Sequence, residues 1–242
     1  TKGACGVLVS NIKLAKKYNG LFVNDTKRAL TQIGKSARDR FDGITIGITG
    51  SSGKTSTNYL LSNALKKFGK THETFGNNNN IIGLSLTLSR LHHDYDFCVL
   101  ELGMNNAGEI RELTKIARPN IALITNVSSS HIQNFKSEEE IARAKSEIFL
   151  GLKKNGIAVI NSDNSWKEFL INQAKKVNAK IHLYGHSEDS DTKIIKIINE
   201  KEGSTIFYDE IENWHLKYLN ITQAENVIAA VSVMKELKLE PQ

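Results

Sequence analysis

Short apolar runs alternate with amphipathic stretches along most of the chain, and each repeat is of a length that suits one strand and one helix. Gly6-Val7-Leu8-Val9 and Leu21-Phe22-Val23 read as short strands. From Thr26 to Arg40, Ala29, Leu30, Ile33 and Ala37 recur at helical spacing, and Asp42-Gly43 ends that pattern. Ile44 to Thr49 is a β-branched strand, followed by a glycine turn and a helix through Leu60, Leu61, Ala64 and Leu65. The alternation then continues: strand Lys70–Thr74, helix Ile81–Leu91, buried strand Phe97–Leu100, helix Ala107–Ala117, buried strand Ile121–Ile124. Ser137-Glu138-Glu139-Glu140 has the spacing of a capping box and opens another helix. Ile157–Ile160, Trp166–Lys176 and Lys180–Tyr184 complete the series as strand, helix and strand.

Strands alternating with helices in this way predict an α/β fold, a doubly wound and mostly parallel sheet with ligands at the carboxyl ends of its strands. From about residue 191 the texture changes. Ile194–Ile198, Ser204–Tyr208 and Trp214–Leu219 read as a small antiparallel β section near 191–219. Thr222–Leu237 returns to helix, with Ala224, Val227, Ile228, Val231 and Met234 on one face. The break at Asp42-Gly43 places a domain boundary there, dividing the chain into 1–41 and 42–242.

The turn after the Ile44–Thr49 strand carries the strongest chemical signal. Gly50-Ser51-Ser52-Gly53-Lys54-Thr55 is a G-x-x-G-K-T pattern; the longer phosphate-loop spacing is broken because Ile48 stands at its first glycine position. Gly50 and Gly53 permit conformations that turn successive N–H groups inward, and the following helix presents its positive end. Lys54 supplies a mobile charge for β- and γ-phosphates, and Thr55 a hydroxyl for Mg²⁺. The pattern predicts a site for ATP or GTP.

With 242 residues, 40% hydrophobic and 24% charged, the chain can bury a sizeable core, and its composition is that of an ordinary soluble protein. No run of 18 apolar residues exists, so no membrane insertion is expected. The net charge of +6 is spread over helix faces with acids interleaved, which argues against nucleic-acid binding. Cys5 and Cys98 lack metal-ligand or disulfide spacing, and both read as reduced thiols in apolar, strand-like contexts, which points to a cytoplasmic protein. Thr1-Lys2-Gly3-Ala4-Cys5 reads as a cut edge.

Further candidates fall where a doubly wound sheet places its site. Glu101 closes a strand and is either a Mg²⁺ ligand opposite the loop or a solvated strand-end acid. Asn126 follows the Ile121–Thr125 strand, and His131 lies in the Ser-rich loop beyond, as a ligand-orienting group or a plain surface histidine. By periodicity alone Lys145 is an exposed helical lysine. The Asn77-Asn78-Asn79-Asn80 run is a biased polar loop or a substrate-contacting one.

Taken together, Gly47–Thr55, Gly76–Gly83, Glu101-Leu102-Gly103-Met104 with Gly108-Glu109-Ile110, Arg118-Pro119, Ile124-Thr125-Asn126-Val127 with His131, and Ala142–Phe149 resemble the Mur ligases. These are the ATP-dependent amide-forming enzymes of peptidoglycan precursor synthesis. Within the family the motifs look most like the branch that adds D-alanyl-D-alanine to UDP-N-acetylmuramoyl tripeptide. The resemblance implies ATP held by Gly50, Ser51, Ser52, Gly53, Lys54 and Thr55, with Asn79, Asn80, Asn126 and Asn226 also on the nucleotide side. It implies two Mg²⁺ ions held by Thr55, Glu101, His131 and Lys145, the last as a carbamate, with Lys54, Glu101, His131 and Lys145 as the catalytic set. It further implies a cytoplasmic monomer. Residues 1–41 would be the remnant of an N-terminal UDP-substrate domain, and 42–242 a central ATP-binding domain incomplete at its end.

This sequence departs from the family pattern near residue 226, where Asn226 keeps the first asparagine of a shared motif but Glu225 and Ala229 replace its histidine and second asparagine. Adenine contacts are therefore open, and the chain reads as a fragment that folds and does not ligate alone. The rival readings are a related amino-acid ligase (folylpolyglutamate-type included), a nucleotide-binding protein without ligase activity, and an inactive scaffold.

Overall fold

The computed structural model describes residues 3–129, 134–200, 203–209, 212–217 and 221–240. Two short strands, β1 (Leu8–Val9) and β2 (Leu21–Phe22), pair in parallel around the helix α1 (Ile12–Lys17). The sequence reading passed over α1, although Asn11 is its N-cap and accepts hydrogen bonds from the amides of Lys13 and Leu14. Cys5 is exposed in this region and not in a strand, which corrects its apolar reading; Cys98 is buried. Burial pushes the Cys98 thiol up to about 12.

After α2 (Thr26–Asp39) the main sheet begins, and its elements follow in the order β3 (Ile44–Thr49), α3 (Lys54–Leu65), β4 (Thr71–Glu73), α4 (Ile81–Ser89), β5 (Phe97–Glu101), α5 (Glu109–Ala117) and β6 (Ile121–Ile124). Next come α6 (Glu138–Ser146), running into a 3₁₀ turn Glu147–Gly151, then β7 (Ile157–Asn161), α7 (Lys167–Lys176) and β8 (Lys180–Gly185). The last described elements are β9 (Thr192–Glu200), β10 (Gly203–Tyr208), β11 (Glu212–Lys217) and α8 (Ile221–Glu236). The nine strands run in the order β11-β10-β9-β8-β7-β6-β3-β5-β4.

The pairs from β4 across to β9 are parallel, and β10 and β11 add antiparallel strands at one edge. The antiparallel section thus joins the main sheet, because β9 continues the parallel register of β8 through Tyr184↔Thr192 and Gly185↔Lys193. Alternate side chains of one strand feed two cores. Ile121 and Leu123 pack with α3 and α8 on one face, whereas Ala122 and Ile124 pack with α4, α5, α6 and α7 on the other. Burial on both faces is why these strands read as unbroken apolar runs.

The α2 helix is bound to the body by Arg38, only 2% exposed. Its guanidinium donates to the carbonyls of Ala117 (2.6 Å) and Arg118 (2.9 Å), which the end of α5 leaves open, and to that of Phe41 (3.0 Å) just beyond α2. That end is a left-handed Arg118 (φ 46°) before Pro119. The α5 helix starts at Glu109, two residues later than its sequence pattern indicates, because Gly108 takes a left-handed conformation (φ 89°) and caps it. Ser137 caps α6 as its capping-box spacing predicts, its hydroxyl accepting from the Glu140 amide at 3.3 Å.

Candidate functional site

Strand β3 lies between β5 and β6, so the carboxyl ends of these three meet where successive connections leave in opposite directions. The loop Gly50–Gly53 rises from β3 there. Gly53 has φ 81°, and a side chain on it would collide with Asn226 of α8. Gly50 approaches Thr125 just as closely. Glycine at both positions is a steric requirement.

The exit of β6 buttresses the loop. The Ser51 amide donates to the Asn126 carbonyl at 3.0 Å, and the Ser52 amide to Asn126 Oδ1 at 2.9 Å. Asn126 Nδ2 reaches Ser52 Oγ at 2.8 Å, and Thr125 Oγ1 the Ser52 carbonyl at 2.6 Å. Ser51 Oγ donates to the Ser128 carbonyl and accepts from the Ser128 amide, both at 3.0 Å. In this state Ser51 and Ser52 are engaged within the protein. The amides opening α3, from Lys54, Thr55 and Ser56, are those left without helical acceptors, since the first helical bond runs from Thr57 to Gly53.

On the β5 side, Glu101 is only 1% exposed, yet both its oxygens are used. Oε2 accepts from Thr55 Oγ1 and Oε1 from Asn79 Nδ2, each at 2.8 Å. A threonine hydroxyl beside a carboxylate is a hard-oxygen pair of the kind Mg²⁺ takes, so these residues fit that ion. Lys54 Nζ folds back to donate to the Gly50 carbonyl at 2.7 Å. Burial lowers the Lys54 pKa, with Glu101 acting against it.

The Asn run separates into distinct jobs. Asn79 holds Glu101 by its side chain, and its carbonyl accepts from the Gly103 amide at 2.9 Å. Asn80 caps α4 by accepting from the Gly83 amide at 2.9 Å. Lys54, Asn79, Asn80, Gly103 and Glu109 border a cavity of about 130 Å³, and a second of about 330 Å³ shares Asn80, Gly103 and Glu109 with it and reaches Ile82 and Leu113.

Lys145 overturns its reading as an exposed helical lysine: on α6 it is 1% exposed. Burial, reinforced by the Lys54 charge, brings its pKa from 10.5 down to about 7. Residue type and periodicity alone carry no sign of this, since α6 is polar on average and a lysine is ordinarily at the surface. On the other flank of the loop, Asn226 Oδ1 accepts from Thr57 Oγ1 at 3.2 Å, which ties α8 to α3. His131 lies outside the described residues. The site thus brings together Gly50 to Thr55, Asn79, Glu101 and Asn126, with Lys145 within electrostatic reach of Lys54 and Asn226 against the loop.

The family pattern described as the Mur ligase middle domain matches residues 48–234. The UDP-N-acetylmuramoyl-tripeptide--D-alanyl-D-alanine ligase of Buchnera aphidicola (subsp. Baizongia pistaciae) is 44% identical over 75% of this chain and 40% of its own length. The Escherichia coli K12 protein of the same name is 40% identical over 67% of this chain and 36% of its own. The crystal structure of a MurF ligase from Thermotoga maritima in complex with ADP superposes with a TM-score of 0.87 at 27% identity, covering 99% of this chain and 56% of that one. MurF from Acinetobacter baumannii gives 0.85 at 29% identity, covering 91% of this chain and 49% of that one. The chain spans about half the length of the relatives it matches, or somewhat less. The matched stretch runs from β3 to α8 and contains each site residue from Gly50 to Asn226; on that ground the chain belongs to the Mur ligase family.

Proposed function

We propose that this chain is the nucleotide-handling part of an ATP-dependent ligase that joins D-alanyl-D-alanine to a UDP-N-acetylmuramoyl tripeptide. The observation that carries the reading is the Thr55–Glu101–Asn79 chain of hydrogen bonds beside Lys54, at the mouth of the phosphate loop. The names of the relatives reported above support the choice of substrates. We read residues 1–41 as the end of a UDP-substrate domain and 42–242 as the central domain, in a cytoplasmic monomer.

In this mechanism the tripeptide's terminal carboxylate attacks the γ-phosphorus of ATP, and the bond to the β–γ bridging oxygen breaks with release of ADP. The amine of D-alanyl-D-alanine then adds to the acyl phosphate. The tetrahedral intermediate expels inorganic phosphate, the nitrogen gives up a proton, and an amide results. Lys54 swings from Gly50 to the phosphates, where it and the α3 amides hold the developing charge. Thr55 and Glu101 hold Mg²⁺, which neutralises phosphate charge when bound.

Lys145 is best explained as a carbamate. Near neutrality a substantial fraction of its amine is uncharged, the form that adds to the carbon of CO₂ with loss of a proton. Lys54 then faces the resulting anion, which can hold a second Mg²⁺ with His131. Asn126 keeps the loop in shape, and Asn226 belongs to the nucleoside side.

Titration of the chain with ATP, with and without Mg²⁺, tests the reading. Glu101→Gln lowers Mg–ATP affinity by about tenfold or more and leaves Mg²⁺-free binding unchanged. Equal loss in both conditions overturns the metal role of Glu101.

A further inference from the structure

The phosphate loop lies at the carboxyl ends of the parallel strands. At the opposite end of β5, about 13 Å along the strand from Glu101, the turn arriving from α4 carries His92, His93 and Asp94 in succession. One donor atom of each lies within 4.8 Å of the other two, and all three residues are exposed. His92 Nδ1 donates to Asp94 Oδ1 at 2.5 Å, and the His92 and His93 rings meet edge to face with centroids 4.4 Å apart. Neither ring nitrogen of His93 has a hydrogen-bond partner among the described residues.

The backbone beneath these side chains is anchored on both sides. Asp96 Oδ2 accepts from the Lys70 amide at 2.7 Å, and the Lys70 carbonyl accepts from the amides of Asp96 (2.8 Å) and Phe97 (3.1 Å). The Asp96 carbonyl accepts from the Ile44 amide at 2.9 Å, and the Tyr95 ring packs edge-on against His72. The turn is thus tied to the starts of β3, β4 and β5, and only side-chain rotations are left for the three donors to converge. Bonds of about 2.1 Å to nitrogen and oxygen set donors about 3.4 Å apart around a tetrahedral ion. The His92–Asp94 pair must open by about 0.9 Å and His93 close by at most about 1.4 Å, shifts within reach of exposed side chains.

Two imidazoles and one carboxylate form a softer donor set than the Thr55 hydroxyl and the Glu101 carboxylate, and they suit zinc, nickel or copper better than Mg²⁺. Lys70 Nζ holds the second carboxylate oxygen, Asp94 Oδ2, at 2.6 Å and leaves Oδ1 to face the histidines. Its exposed charge opposes a cation, though water and salt screen that repulsion. Three protein ligands in an open turn leave the fourth position of the ion to water. We propose that His92, His93 and Asp94 form a binding site for a divalent transition-metal ion of the zinc type, separate from the Mg²⁺ site beside the phosphate loop. An ion held there clips the α4–β5 turn and stabilises the folded chain without touching the reacting groups.

The probe is Zn²⁺ alone, titrated calorimetrically into the full chain, prepared without a polyhistidine tag and with Mg²⁺ in excess. The same titration is run on His93→Ala, on Asp94→Ala and, as a control, on His186→Ala, which removes a different exposed histidine. Wild type and His186→Ala bind one Zn²⁺ that His93→Ala and Asp94→Ala bind about tenfold more weakly or worse. Zn²⁺ likewise raises the unfolding temperature of the first two more than that of the other two. Unfolding curves recorded without metal confirm that each variant is folded. A wild-type chain that binds no Zn²⁺ overturns the site. So does binding of equal strength and stoichiometry in wild type, His93→Ala and Asp94→Ala, or a loss in His186→Ala as large as that in His93→Ala.

Discussion

Lys145 offers a test of the buried site that requires no substrate. Its ammonium is penalised by burial and by the Lys54 charge, so the folded chain releases that proton near pH 7 whereas the unfolded chain keeps it to about 10.5. The sign follows from linkage. Below pH 7 both states are protonated, and the burial penalty of about 4 to 5 kcal/mol is fully present. Between pH 7 and 10.5 the unfolded chain binds more protons than the folded one, so stability rises with pH. The limiting slope is about 1.4 kcal/mol per pH unit. From pH 6 to pH 9 the wild-type chain therefore gains about 2 to 3 kcal/mol that a Lys145→Met variant, of similar volume and without a proton to release, does not. The other titrating groups are common to both proteins and cancel in the difference, apart from Lys54, which loses the neighbouring Lys145 charge in the variant. Urea unfolding of each at several pH values, in buffers freed of CO₂ so that the amine stays unmodified, gives the comparison directly. Stability curves that run parallel across this range refute the desolvated amine, and with it the case for a carbamate.

Two further perturbations probe the scaffold that positions the site. Arg38→Met removes three hydrogen bonds to buried carbonyls and is expected to cost about 3 to 5 kcal/mol, read as a lower urea midpoint at unchanged m-value. Gly53→Ala places a side chain at φ 81° against Asn226, costing about 1 to 2 kcal/mol from the backbone alone. Adding Asn226→Ala recovers only the part due to collision, and calorimetry shows nucleotide affinity reduced in both.

The sheet was legible in the sequence because burial on both faces turns strands such as Ile121–Ile124 into continuous apolar runs, and their helices supply the alternation. The glycine turn with Lys54 and Thr55 was equally plain, because a phosphate loop depends on local backbone and adjacent side chains. What stayed hidden depends on neighbours distant in the chain. That Asn126 occupies the Ser51 and Ser52 amides follows from β6 lying beside β3, which strand order alone does not give. The burial of Lys145 follows from the packing of α6 onto the sheet and is invisible to a helical wheel. The Asn77–Asn80 run could not be divided by composition; Asn79 and Asn80 separate only once Glu101 and the Gly83 amide are placed. The anchoring by Arg38 depends in the same way on the end of α5, which lies about 80 residues further along the chain.

The central claim is tested most directly by phosphate release from Mg–ATP, measured with the protein that has its natural ends and with each acceptor supplied separately. The account predicts release only when a UDP-N-acetylmuramoyl tripeptide and D-alanyl-D-alanine are both present, with amide product formed in equal amount. Release indifferent to either compound would leave the phosphate loop assigned and contradict the ligase.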